Sequence, residues 1–300
     1  MSITAQYILI QVINGLAIGS IYALLAIGMN IIYGMLRLIN FAHGAVIMVG
    51  SYVFLISVMG LGIASYLALP LAIGVGALIG ILLELTAYRF LRGKPEVSML
   101  ITSLGAYIFI ENLVRVLLTS QPRPFPVIPQ LNILYNIGGT IVRVVDLLTI
   151  SSGIFITLGL IALTKKTRVG IAIKATAENV HAASMIGINV DRIITLSFML
   201  ASAIAAYTGF IWGVKFGQID PGMGFLIGVK AFVAIVVGGI GSIAGAVLGG
   251  YIVGLSETLS IGLLPPAYSG YRDGIVFLIL ILALLVRPYG ILGRREEIRA

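Results

Sequence analysis

Cysteine is absent from the sequence, and only two histidines and one tryptophan occur. Without cysteine there is no disulfide, no thiol nucleophile and no thiolate metal site. His43 and His181 are far apart and form no H-x-x-x-H pair, so a metal-hydrolase centre is excluded. No G-x(4)-G-K-[ST] phosphate loop occurs, so ATP is not bound and hydrolysed by that route. The chain reads as a non-enzyme. Charge is scarce as well. Charged residues make up 10% of the chain, against about 25% in soluble domains.

Apolar side chains fill the space that charge leaves. Hydrophobic residues are 59% of the 300, and the mean hydropathy is +1.12. A water-soluble fold of this size cannot hide that much apolar surface, so lipid is the solvent for most of the chain. The net charge of +8 comes from Lys and Arg gathered in a few short loops and at the C-terminus. That is the pattern of cytoplasmic loops in a membrane protein. No basic stripe is interleaved with aromatics, so nucleic acid is not an expected partner. The start, MSITAQYILI, has no basic n-region and no evident cleavage site. The first span is therefore expected to be retained.

Apolar runs at 7–33, 44–60, 63–88, 97–118, 147–164, 193–213 and 274–291 are each near the length of a span. The run 226–257 is too long for one simple span and short for two. It reads either as two short spans or as a re-entrant pair of half-helices. The expected fold is all-α, a polytopic transmembrane helical bundle of about eight to ten membrane segments, because open sheet edges cannot face lipid. No linker or composition break divides residues 1–300, so one membrane domain is expected. Basic residues in the loops 89–96 and 165–192 and in the tail (Arg287, Arg294, Arg295, Arg299) place these three in the cytoplasm and the N-terminus outside. This topology requires the run 226–257 to return to the side it left. The loop 119–146 is then external. Its four prolines, at 122, 124, 126 and 129, forbid regular helix in its first half. ILYNIGGTIVRVV, around Gly138-Gly139, predicts a small hairpin.

Small residues recur every four positions at Gly15, Gly19 and Ala23, at Ala72, Gly76 and Gly80, and at Gly241, Gly245 and Gly249. Such rows let helices approach closely in lipid. GGIGSIAGAVLGG has six glycines in 13 residues, and a break at Gly238-Gly239 is expected because glycine destabilises a helix by roughly 1 kcal/mol per residue. Backbone freed at membrane depth must be covered by protein or line a water-filled path. Gly238, Gly239 and Gly241 are therefore candidates for the transport pathway or for packing alone. Asn40 and His43, in INFAHG, are polar groups at a second expected break. They read as a gate or as a capped helix end. Charged residues within spans are few, and none stands clearly at a span centre, which argues against a proton- or sodium-coupled carrier. An i,i+4 pair is expected between Glu111 and Arg115.

GIAIKATAENVHAASMIGINVDRI, residues 170–193, is polar and helix-prone between apolar runs. Residues 172–187 predict one short amphipathic helix, with Ile173, Ala177, Val180, Ser184 and Ile186 on one face and Gly187 as its stop. Such a helix lies on the bilayer surface or fits a groove on a soluble partner. HAASMIG, residues 181–187, resembles the E-A-A-x-x-x-G signature of ABC importer permeases, with His181 in place of the Glu. NGLAIGSIYALLAIGMNIIYGMLRLINFAHG (14–44), RVGIAIKATAEN…ASMIGINVDRI, GVKAFVAIVVGGIGSIAGAVLGG and RPYGILGR resemble LivH-type permeases of branched-chain amino acid ABC importers, in order and over nearly the whole chain.

The resemblance implies a multi-pass permease subunit of a bacterial or archaeal inner membrane. Its implied partners are a homologous second permease (LivM-like), two cytoplasmic ATPases, an external solute-binding protein and membrane lipid. ATP and Mg would be held by the ATPases, and this chain would carry no cofactor. Segment 165–192 would be the coupling loop, with Ala177, Glu178, Ala182, Ala183 and Gly187 at or near the ATPase contact. The expected cargo is a branched-chain or hydrophobic amino acid. Urea and amide importers have permeases of similar pattern, and a stand-alone secondary carrier or channel is the rival from another class.

Overall fold

The computed structural model describes residues 3–118, 120–137, 140–263 and 270–293. Among them, seven helices are long and apolar enough to cross a membrane, with a shorter apolar helix at Met223–Gly238. Helix α1 (Ile3–Leu36) has 34 residues and so is about 51 Å long, well beyond the roughly 30 Å of a bilayer core. It ends at Arg37, whose φ of 53° is left-handed. Helix α2 (Ala42–Leu55) follows and closes in a wide turn at Ile56–Gly60. Helix α3 (Ser65–Leu83) runs on through a second such turn, Glu84–Tyr88, into a short 3-10 turn at Arg89–Leu91. Helix α4 spans Glu96–Leu117 and α5 spans Val144–Lys166. Two short helices, α6 (Arg168–Glu178) and α7 (Val180–Met185), precede α8 (Val190–Phe216). Helices α9 (Met223–Gly238), α10 (Ile243–Leu263) and α11 (Arg272–Val286) complete the bundle.

Glycine rows decide which helices meet. A Cβ added at Gly15 would strike Leu255 and Thr258, one at Gly19 would strike Tyr251, and one at Gly254 would fall on the backbone of Gly19. These contacts make the seam between α1 and α10, which packs backbone against backbone. The second row does the same between α3 and α8, where Gly76 and Gly80 face Ala206 and Ser202. Helices α9 and α10 form an antiparallel hairpin, with Gly238 beside Gly245 and Ala234 beside Gly249. The chain therefore doubles back on itself between α9 and α10. Buried Tyr22, Leu24, Ile27, Phe54 and Phe198 fill the centre.

Among the described residues, sheet is confined to two small pieces. Strand β1 (Arg123–Pro124) pairs with β4 (Gln218–Ile219), and the expected hairpin is β2 (Leu134–Ile137) against β3 (Thr140–Arg143), with Leu134 opposite Arg143. Its turn, Gly138-Gly139, lies outside the described residues, as do Arg294, Arg295 and Arg299. The proline-rich loop is fastened by Phe125, buried at 5.3 Å from Phe54 and 6.4 Å from Phe210.

Several expected boundaries move. The last apolar run is helical only over 272–286, because Pro288 disfavours helix at the residue before it. Helix α5 begins at Val144, inside the loop expected over 119–146. The helix expected over 172–187 is two helices, broken at Asn179. Lys230 is near the start of the apolar run 226–257, yet it is not at a helix end. It sits near the midpoint of α9 and is 6% exposed. Its ammonium lies 2.7 Å from both Glu257 and Asp273, and Tyr22 donates to Glu257 at 2.7 Å. Such a charge is tolerated inside a bundle when it is paired, and here the pairing ties α1, α9, α10 and α11 together.

Candidate functional site

The segment between α5 and α8 is built from capping residues. Thr167 accepts from the Gly170 N–H at 3.0 Å and starts α6. Asn179 accepts from the Ala182 N–H at 2.9 Å and starts α7. Asn189 accepts from the Arg192 N–H at 3.0 Å and starts α8. Each fills one of the orphan donors of a first helical turn. Asn179 is itself extended, with φ −159° and ψ 111°, so α6 cannot continue into α7. Gly187, with φ +84°, closes α7. Its N–H reaches Ser184 O at 3.0 Å, and the Ile188 N–H reaches Ala183 O at 3.1 Å. That bond pair is a Schellman stop, which needs a left-handed residue at the glycine position.

One face of this segment is anchored. Gly170, Ile173, Thr176 and Ala183 are buried. A side chain at Gly170 would fall on the backbone of Leu163 and Thr164, so glycine sets the sharp corner between α5 and α6. The other face is open. Met185 is 87% and Ile186 75% exposed, next to exposed Ala182 and Gly187. An apolar tip on a rigid, capped support is suited to docking in a groove.

An ion knot holds the far end of the segment. Arg92 pairs with both Glu84 and Asp191, and Arg89 reaches Asp191 at 3.1 Å. Thr195 donates to the second oxygen of Glu84 at 2.7 Å. Glu84 is fully buried. The turn after α3 is thereby tied to the first turn of α8.

The second feature is the break between α9 and α10. Gly239 has φ +119° and Gly241 has φ +84°. The carbonyls freed at the end of α9 are covered by protein. Ile291 donates to Val237 O at 3.0 Å, and Leu292 donates to Gly238 O at 2.8 Å. Asn30 of α1 accepts from the Gly241 N–H at 2.8 Å. Gly290 and Gly293 press against Gly239 too closely for any side chain there.

Residues 11–285 match the family described as the branched-chain amino acid transport system permease component. The chain belongs to this permease family. It is 38% identical to the high-affinity branched-chain amino acid transport system permease protein BraD of Pseudomonas aeruginosa, over 95% of this chain and 96% of that one. It is 41% identical to the corresponding LivH protein of Escherichia coli K12, with 99% of each chain covered. It is 33% identical to the probable branched-chain amino acid transport permease protein LivH of Methanocaldococcus jannaschii, covering 91% and 89%. Among solved structures, PsaBC from Streptococcus pneumoniae in complex with Fab has a similar fold, with a TM-score of 0.50 at 13% identity, over 92% of this chain and 91% of that one.

The residues expected at the coupling surface of this permease divide. Glu178, Ala182 and Gly187 are exposed, while Ala183 is buried and Ala177 half-buried near Gly34 of α1. Val180 and Ile186, expected on the same face as Ile173, are exposed instead, because the break at Asn179 turns α7 away from the register of α6. Apolar periodicity alone marks neither Met185 nor the cap Asn179. The signal for Asn179 was present, since Asn followed by a helix-prone stretch marks an N-cap.

The expected pathway residues flank α1 on two sides. Asn40 is buried and accepts from the Tyr88 hydroxyl at 2.6 Å. His43 is fully buried with neither ring nitrogen bonded, and its ring abuts Gly28. Gly238, Gly239 and Gly241 form the break that meets α1 two residues further along, at Asn30. A cavity of about 1130 Å³ lies elsewhere, in an apolar wedge between α3 and α4. None of the expected site residues lines it.

Proposed function

We propose that this chain is the membrane-spanning permease subunit of an ATP-driven importer that moves branched-chain amino acids into the cytoplasm. ATP, with Mg, is hydrolysed on two separate ATPase subunits. A homologous second permease completes the path, and an external solute-binding protein selects the cargo. The basic end of the bundle, with the loops 89–96 and 165–192, faces the cytoplasm, and the N-terminus faces outward. The observation that carries this reading is the exposed tip at Ala182, Met185, Ile186 and Gly187, mounted on a segment whose other face is buried in the bundle.

An ATPase that closes around this tip moves α6 and α7 as one piece, because each is capped at its start and Gly187 fixes the exit. The ion knot of Arg92, Glu84 and Asp191 carries the movement to α3 and α8. Asn40, His43, Gly238, Gly239 and Gly241 act at helix breaks, where a small change in backbone angle redirects a whole helix. The energy enters mechanically, as a bias between inward- and outward-facing states.

Lys230 near the midpoint of α9 favours one rival, an ion-coupled carrier. The two readings separate in one experiment. Membranes are extracted in mild detergent and everything that co-purifies with the full chain is identified by mass spectrometry. Two phosphate-loop ATPases and a second permease are expected. Recovery of the chain alone, with uptake abolished by a protonophore at constant ATP, would replace the importer with the carrier.

A further inference from the structure

Beside the coupling segment, α1, α5, α6 and α10 leave a cavity of about 310 Å³. That is at the small end of ligand pockets, which run from about 300 Å³ upward. One wall is aliphatic, formed by Ile31, Ile161, Ile173 and Ile243. The other carries Asn30, Lys165, Lys174 and the turn at Gly241. Among the described residues, no Asp or Glu lines it. Neither lysine is paired with an acid among the described residues. Lys174 is four positions before Glu178, yet the two form no ion pair there. Asn30 is 4% exposed. Its carbonyl oxygen is used by Gly241, so its amide nitrogen is left to donate.

The donors on this wall therefore outnumber the acceptors, and two of them are cations. Unpaired cations around a partly apolar cavity favour a negatively charged occupant. The aliphatic wall adds a requirement for hydrocarbon. We propose that this cavity is a binding site for a small anion carried on an aliphatic body. The anionic group lies between Lys165 and Lys174 within reach of the Asn30 amide, and the hydrocarbon packs on the isoleucines. Two sources share that chemistry: a free short-chain carboxylate and the head-group end of an anionic phospholipid. An occupant bridges α6 to α1, α5 and α10. Only the consequence for transport, a coupling segment held in place, rests on the importer reading; the binding itself does not.

The test uses the full chain in nanodiscs. In phosphatidylcholine discs, radiolabelled 4-methylpentanoate is titrated, with 4-methylpentanamide as the neutral control. In discs containing phosphatidylglycerol, lipid retained on the protein is read by native mass spectrometry. Lys165→Gln/Lys174→Gln removes both charges, and Ala244→Phe fills the cavity while leaving both lysines. Both variants are checked for a monodisperse gel-filtration peak. Saturable carboxylate binding, weakened at least about tenfold in both variants and absent with the amide, assigns a free anion. Retention of phosphatidylglycerol by the wild type and its loss from both variants assigns the lipid. The proposal is overturned if neither ligand binds, or if binding survives the double variant. It is also overturned if Ala244→Phe leaves binding intact, since the lysines then act as an open surface patch.

Discussion

The α1–α10 seam and the α6–α7 segment use the same two small residues for opposite ends. In the seam, Gly15, Gly19, Gly250 and Gly254 are spaced so that two backbones touch, and any side chain there meets main-chain atoms. In the segment, Ala182 and Gly187 face outward, and a side chain at Gly187 would meet nothing within 4 Å. Small residues in the seam are filled space. Small residues in the segment are room for something else. The difference separates a contact that the chain completes itself from a surface that, in the function proposed above, it offers to a partner.

That contrast can be broken from either side. Gly254→Leu should have the largest effect on folding, because its side chain must displace the backbone of Gly19. Overpacking of this kind typically costs about 1–3 kcal/mol and more where nothing can yield. We expect no monodisperse peak in fluorescence-detected gel filtration. Ala182→Glu should leave that peak and the membrane level unchanged while uptake of labelled leucine falls to background. Unchanged uptake would remove the coupling role from this face. Arg92→Ala should fall between the two classes. It leaves buried Glu84 without its cation, and breaking such a pair costs about 3 kcal/mol. The thermal midpoint should drop, and Arg92→Ala/Glu84→Gln should recover most of it. Asn179→Ala should have the smallest effect, about 1 kcal/mol for a lost N-cap. Hydrogen exchange should rise in α7 and stay unchanged along the seam.

The membrane bundle was legible because its signals are local. Apolar run length marked the spans, and four-residue glycine spacing marked the rows that pack. Proline 288 explains the one span that came out short. The strand pair at 134–143 followed from β-branched residues around two glycines. What escaped was set by partners distant in sequence. Lys230 reads as a residue at the edge of a run until α9 is seen to begin at Met223, with Glu257 and Asp273 closing around its ammonium. The pairing of Arg92 with Glu84 and Asp191 spans about a third of the chain, and no periodicity announces it. Within the segment, alternation of apolar and polar residues suggested one continuous face. Asn179 interrupts it with a single cap, and that one residue decides that Met185 and Ile186 point outward.

The absence of cysteine makes the deciding measurement clean, since one introduced thiol is the only one in the chain. Met185→Cys, in the complex as purified from its own membrane, is cross-linked with a short thiol-to-amine reagent. The product is then identified by mass spectrometry, with and without ATP. We expect a cross-link from residue 185 to a phosphate-loop ATPase, changing in yield when ATP is bound. Free labelling of the same thiol by a soluble maleimide in the assembled complex, with no cross-link to an ATPase, would contradict it.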